Sequence, residues 1–194
     1  MSVSRAGLKL AQAATAFGYD FRGKVALDIG SSTGGFTEYA LSRGAKRVYA
    51  VEKGTNQMVE PLKFDERIIL REKTDIFDIN NFPEPIDTIM ADVSFVSLKD
   101  VLAHTRKFAG QNTEYLVMLK PQFEAEAKDL VKGVVKNEKL RRQIIKDFEL
   151  WLKSNGFIIL KKRDNSLAGK SGNLERFYLL KLAKATWISG RFLL

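Results

Sequence analysis

Apolar positions along this chain follow two rhythms in turn. Short apolar runs at Lys24–Asp28, Arg47–Val51, Arg67–Leu70, Ile86–Ala91 and Tyr115–Leu119 read as strands. Between them the spacing is helical. Residues 7–17 place Leu8, Ala11, Ala14 and Phe17 at three-residue steps, and Gly18 ends that helix. Phe36–Arg43 predicts a helix closed by Gly44, and Gln57–Lys63 a short one. Leu98–Phe108 predicts a fourth helix, just after the strand that ends at Asp92. Glu138–Ser154 predicts a long one, with Leu140, Ile144, Ile145, Phe148 and Trp151 or Leu152 on one side and Gly156 at its end. Phe157–Lys161 and Arg176–Leu182 then read as two strands with no helix between them, hence a terminal antiparallel hairpin.

Runs such as Ala26-Leu27 and Val117-Met118-Leu119 lack polar alternation, which suits strands buried on both faces. Strands alternating with helices predict an α/β domain with a doubly wound, mostly parallel sheet and a terminal antiparallel strand. The chain's 194 residues fit one core, with residues 1–182 as the domain and 183–194 as a tail that carries no readable pattern.

Composition narrows the chemistry. There is no cysteine and one histidine, His104, so disulfide scaffolds, cysteine-bound zinc, thiol catalysis and multi-histidine metal sites are excluded, and no metal is expected. The net charge of +9 fits either a polyanionic partner or a lysine-coated surface. The N-terminus lacks the apolar core of a secretory signal, and no run reaches the ~18 apolar residues of a membrane span. The expected compartment is the cytoplasm, with no membrane partner.

The loop Asp28-Ile-Gly-Ser-Ser-Thr-Gly-Gly-Phe36 lies between a predicted strand and a predicted helix. In such sheets ligands bind beyond the carboxyl ends of the strands, where glycine lets backbone approach them closely. Glu52 ends the second strand, 22 residues after Gly30, where an acid can accept bonds from ribose hydroxyls. Asp75, just after the third strand, could hold an adenine amino group. The pattern points to a nucleotide-like ligand. A nicotinamide dinucleotide fits less well, because Ser32 stands where its fingerprint has a second glycine. No Gly-Lys-Ser/Thr follows, so a Walker-type phosphate loop is absent.

Four further polar residues stand out. Lys9 lies on the first helix, Asp92 ends the fourth strand, Lys120 ends the fifth and Glu175 precedes the last. The fourth and fifth strands should lie close, so Asp92 and Lys120 could meet at the carboxyl edge. Taken singly, Lys9 reads as a solvated helix lysine, Asp92 as a cap and Glu175 as an edge-strand charge. Spacing alone does not make the four converge.

The segments Val3-Ser-Arg-Ala-Gly-Leu-Lys-Leu10, Leu27–Thr37, Ala91-Asp-Val-Ser-Phe-Val-Ser-Leu98, Lys120-Pro-Gln-Phe-Glu124 and Ser171-Gly-Asn-Leu-Glu175 together resemble a known family. It is that of the TlyA-type proteins, often labelled hemolysin A, among the FtsJ-like ribosomal RNA 2′-O-methyltransferases. The resemblance implies the methyltransferase sheet and S-adenosyl-L-methionine as cofactor. It implies cofactor contacts from Asp28, Gly30, Ser31, Ser32, Thr33, Gly34, Gly35, Phe36, Glu52, Asp75 and Asp92. It implies a catalytic Lys9, Asp92, Lys120, Glu175 tetrad, and ribosomal RNA or a ribosomal subunit as partner. In-line methyl transfer then needs positioning and proton removal. Lys120 would be the base, Asp92 would orient it, and Lys9 and Glu175 would hold the hydroxyl. A lysine base must be neutral to act. Asp92 beside it favours the charged form, while Lys9 and desolvation oppose it.

The sequence departs from the family pattern in three places. Family members usually begin with a small S4-type RNA-binding domain, and this chain begins at the methyltransferase domain. Ala6 replaces a common glycine, and Ala125–Val131 is more acidic and less glycine-rich than usual. Two other functions stay open at this stage: a catalytically inactive protein that binds the cofactor and RNA, and a membrane-lytic hemolysin.

Overall fold

A computed structural model describes residues 4–167, 172–183, 186–188 and 191–193. In chain order the elements are α1 (Arg5–Phe17), β1 (Val25–Ile29), α2 (Gly35–Ser42), β2 (Arg47–Val51), α3 (Glu60–Lys63), β3 (Ile68–Arg71) and β4 (Ile86–Ala91). There follow α4 (Leu98–Thr105), β5 (Ala109–Leu119), α5 (Glu138–Ser154), β6 (Phe157–Asp164) and β7 (Arg176–Leu182). Seven strands make one sheet in the order β3-β2-β1-β4-β5-β7-β6. The neighbours from β3 to β5 are parallel, and β7 runs antiparallel to both β5 and β6. This is the expected doubly wound sheet with its antiparallel hairpin. The strand order reverses between β1 and β4, which is where such sheets open a crevice.

The two-residue alternation of the strands splits the core. Ala26, Val48, Ala50, Met90, Leu116, Met118, Phe177 and Leu179 face α1 and α2. Leu27, Ile29, Tyr49, Ile89, Tyr115, Val117 and Leu180 face the other way and pack with Leu98, Val101 and Leu102 of α4 and Ile145, Phe148 and Leu152 of α5. All five residues of β1 are buried, as its apolar run requires.

Several boundaries differ from the hydrophobic pattern, each for a local reason. α1 buries Leu10, Ala13, Ala14 and Phe17 but leaves Leu8 47% exposed. Three-residue steps drift off a 3.6-residue helix, so Leu8 falls off the stripe that Phe17 joins. α3 starts at Glu60 rather than Gln57, because the Glu72 carboxylate accepts the N–H groups of Asn56, Gln57 and Met58 and holds them outside the helix. α4 ends at Thr105, and Arg106–Phe108 tighten into a 3₁₀ turn. In α5 the buried stripe takes Leu152 rather than Trp151 and also takes in Arg141. Within the tail, Thr186–Ile188 and Arg191–Leu193 pair as a small antiparallel ladder where no element was read. Val3 and Ser171, which open two of the family segments, lie outside the described residues.

Candidate active site

Strand register brings the tetrad together. In the β5–β7 ladder Leu119 stands opposite Arg176, so one step further sets Lys120 against Glu175. In the β4–β5 ladder Ala91 stands level with Val117, which brings Asp92 to the same edge. Asp28, Asp92, Lys120 and Glu175 each lie two residues from Ala26, Met90, Met118 and Phe177, so the alternation turns all four toward the α1 side. α1 adds Lys9 from above.

Two ion pairs result. Lys120 Nζ lies 2.6 Å from Asp92 Oδ1 and donates to Ser94 Oγ at 3.0 Å. Lys9 Nζ donates to Glu175 Oε2 at 2.5 Å, with Lys9 8% and Glu175 3% exposed. The expected meeting of Asp92 and Lys120 is therefore present. The Lys9–Glu175 pair had no signal in spacing, since 166 residues separate its partners.

The Glu175 segment is held from outside the tetrad. Asn165 N–H donates to the Glu175 carbonyl at 2.9 Å. The buried Arg141 donates Nε to the Leu174 carbonyl and a terminal nitrogen to Asp164, which also receives Arg176. A charged residue inside the apolar stripe of α5 was the one sequence sign of this brace. Glu124 is similar: burial pushes its carboxyl up, and it accepts Ser97 Oγ and Leu98 N–H at 2.7 Å each. The Lys120–Glu124 turn is thereby tied to the N-terminus of α4.

A cavity of about 650 Å³ opens beside the Asp92–Lys120 pair, with Asp92 and Ser94 in its wall, within the range of cofactor pockets. Of the proposed cofactor residues, Gly30, Ser32, Glu52, Asp75 and Asp92 line it. Gly30 is required there. Its φ is +78°, and a Cβ would lie 2.9 Å from the Asp92 carbonyl oxygen. Glu52 accepts Ser32 N–H at 2.9 Å and Gly54 N–H at 2.6 Å, which fixes the loop and leaves lone pairs for a hydroxyl. Asp75 pairs with Lys53, which lowers its pKa, and caps the 3₁₀ turn at Phe77.

The rest of the loop stands behind the cavity. Gly34 packs on Leu62 and Met58, and the Thr33 carbonyl accepts Val59 N–H. Gly35 lies against Ser4, the N-cap of α1, with no room for a Cβ. Ser31 is buried, and Phe36 packs its ring near Phe177 in the core.

Asp28 is fully buried and accepts Thr37 Oγ1 at 2.6 Å, while its Oδ1 has no partner. Burial raises its pKa to about 7, and the negative charges of Asp92 and Glu52 add to the rise. The carboxylates of Glu52, Asp75 and Asp92 in the cavity wall suit a cationic, donor-bearing ligand, so the residues fit an amino-acid sulfonium nucleoside. The raised value also makes a stability prediction. Between about pH 4 and pH 7 the unfolded carboxyl is ionised while the folded one keeps its proton. This contribution to stability is therefore full below about pH 4 and lost as pH rises through 7. Asp28→Asn should gain stability over the parent across that window, by a few kcal/mol at most, and hold the gain above it. Urea melts at pH 4.5 and 8 check this, and an equal difference at both would refute it.

Among the described residues no group of three or more acids and histidines could hold a metal, and no helix is long and apolar enough to cross a membrane. The FtsJ-like methyltransferase family matches residues 2–182. Hemolysin A of Brachyspira hyodysenteriae is 38% identical over 177 residues, covering 89% of this chain and 74% of that protein. The 23S rRNA (cytidine-2′-O)-methyltransferase TlyA of Campylobacter jejuni is 38% identical over 178 residues, covering 91% and 69%. A solved Streptococcus thermophilus structure bearing the hemolysin name superposes with a TM-score of 0.90 at 32% identity, covering 94% of this chain and 68% of that one. The sheet order, the crevice at its switch point and these likenesses agree: this chain belongs to the FtsJ-like methyltransferases, in their TlyA/hemolysin A branch.

Proposed function

We propose that this protein uses S-adenosyl-L-methionine to methylate a ribose 2′-hydroxyl of ribosomal RNA, free or within a subunit, and that residues 1–182 carry the activity. The observation that carries this reading is that two ion pairs, Lys120–Asp92 and Lys9–Glu175, form at one sheet edge, with Asp92 in the wall of the cavity. The C. jejuni relative's name supplies the substrate class.

The cofactor, when bound, supplies an already activated methyl group. Gly30, Ser32, Glu52, Asp75 and Asp92 would hold it. Lys120 in its neutral form takes the hydroxyl proton as the oxygen forms its new bond, and the resulting ammonium is stabilised by Asp92. Ser94 and Asp92 fix where Nζ points. Lys9 donates to the hydroxyl oxygen, and Glu175 keeps Lys9 in place.

Phe95 supports a nucleotide substrate. It is 92% exposed, at φ +63°, with its ring 5.1 Å from Phe123 and next to the Lys120 turn. A strained, exposed aromatic at a cavity rim is a platform on which a base can stack. Phe95→Ala should lower kcat/KM for RNA by about fivefold to 150-fold, because one stacked base is worth about 1–3 kcal/mol. Steady-state kinetics with varied RNA measure it.

The function is tested by incubating the protein with methyl-labelled cofactor and ribosomal subunits or naked ribosomal RNA. The expected result is label at a defined nucleotide whose 3′ linkage resists alkali. Cofactor binding without any transfer would leave an inactive binding protein, and label on a base would overturn the ribose assignment.

A further inference from the structure

Among the described residues, five other than glycine adopt a left-handed backbone: Ser32, Asn56, Lys73, Phe95 and Lys132. Ser32 and Phe95 line the cavity. Lys132 lies outside it and has no part in the chemistry above, yet its surroundings are as tightly built.

Val131-Lys132-Gly133-Val134 is a two-residue hairpin. Val131 N–H donates to the Val134 carbonyl at 3.0 Å, and Val134 N–H donates back at 3.1 Å. With φ of +51° at Lys132 and +76° at Gly133, both central residues are left-handed, as a type I′ turn requires. Asn, Asp or Gly normally fills the first of these positions, because a longer side chain is strained there. Here it is a lysine, exposed at the tip, with no carboxylate partner among the described residues.

The tip is also clamped. The side-chain amide of Asn173, itself 4% exposed, donates to the Gly133 carbonyl at 3.0 Å and accepts Val135 N–H at 3.1 Å. Asn173 stands two residues before Glu175, about 7 Å of extended chain. The loop that carries the tip begins at Lys120. One segment thus carries Glu175 and, two residues earlier, clamps the backbone of the turn that bears Lys132. Lys136, exposed further along the same loop, adds positive charge.

We propose that Lys132 is a fixed contact for a backbone phosphate of the RNA strand that carries the target nucleotide, setting the strand's register against Lys120 and Glu175. This rests on the RNA methyltransferase reading. A lysine ammonium meets phosphate as a compact point charge, and a clamped turn delivers it without the ordering cost of a mobile loop. Phosphate contacts position a nucleic acid rather than read its sequence.

The decisive variant is Lys132→Asn, which keeps a residue tolerant of left-handed backbone and removes the charge. Initial rates would be measured on a ribosomal RNA substrate across a salt series. Lys132→Asn should raise KM for RNA about fivefold to tenfold, leave kcat and cofactor Kd unchanged, and lower the salt slope of binding by about one. Lys132→Arg should restore KM. Asn173→Ala, which frees both the tip and the Glu175 segment, should lower kcat as well. An unchanged KM and salt slope in a Lys132→Asn protein of parental Tm would overturn the proposal. RNA binding by fluorescence anisotropy separates this failure from that of the functional reading. If the parent binds RNA but transfers no methyl group, a loss of salt slope in Lys132→Asn still supports the contact, and an unchanged slope still refutes it.

Discussion

Lys120→Ala will reduce methyl transfer by about 10²–10⁴-fold while cofactor affinity stays within about twofold of the parent. The side chain touches the reacting edge through Asp92 and Ser94 and does not line the cavity. Its removal therefore takes away the proposed proton acceptor and leaves the walls of the cavity standing. The Asp92 side chain is 16% exposed, but the Oδ1 that faces Lys120 is buried, so a loss of stability accompanies the change and Tm is measured beside the rate. Lys120→Arg is the sharper variant. It keeps a cation beside Asp92 but cannot lose a proton near neutral pH, so it should be as inactive as the alanine form. If Lys120 acted only as a charge, the arginine variant would keep substantial activity. Single-turnover transfer of labelled methyl, with cofactor titration by calorimetry, reads both quantities. An alanine variant retaining more than about a tenth of parental rate would remove Lys120 from the role of base.

Most of the sheet was legible because its signals are local. β1 and the Tyr115–Leu119 half of β5 are buried apolar runs, and glycines at 18, 44 and 156 stop helices by taking positive φ. The Asp92–Lys120 meeting was legible because the two residues end adjacent strands, and adjacency follows from topology. What stayed hidden depends on contacts across long stretches of chain. Glu72 stripping a turn from α3 is one case, since nothing in residues 57–59 announces an acid arriving from β3. The Arg141 brace and the Asn173 clamp are others, each joining segments more than thirty residues apart. In the loop Asp28–Phe36 the sequence shows glycines but not their separate roles. Gly30 makes room for the Asp92 backbone at the cavity, whereas Gly35 makes room for Ser4 behind it. The two look alike in a motif, and only packing distinguishes them.

The pair Lys9–Glu175 should show the largest effect on stability of any site described above. Glu175→Ala removes the partner of Lys9, a residue only 8% exposed. Breaking such a buried pair from one side costs about 3–5 kcal/mol, because the remaining charge loses both its solvent and its counterion. For a chain of this size that lowers Tm by roughly 6–20 °C. Methyl transfer should fall as well, which leaves the cause ambiguous in the single variant. The double variant Lys9→Met, Glu175→Leu resolves it. It removes both charges of a buried pair, and such replacements by apolar residues are commonly neutral or stabilising. A double variant with parental Tm and cofactor affinity but at least about a hundredfold less methyl transfer assigns the pair to positioning the hydroxyl. A stable double variant with parental activity would make the pair a structural strut between α1 and β7, and would leave Lys120 and Asp92 as the whole of the acid–base machinery. The pair's burial favours the first outcome: two charges held out of water at a sheet edge are costly to keep, and an apolar pair would join α1 to β7 at least as well.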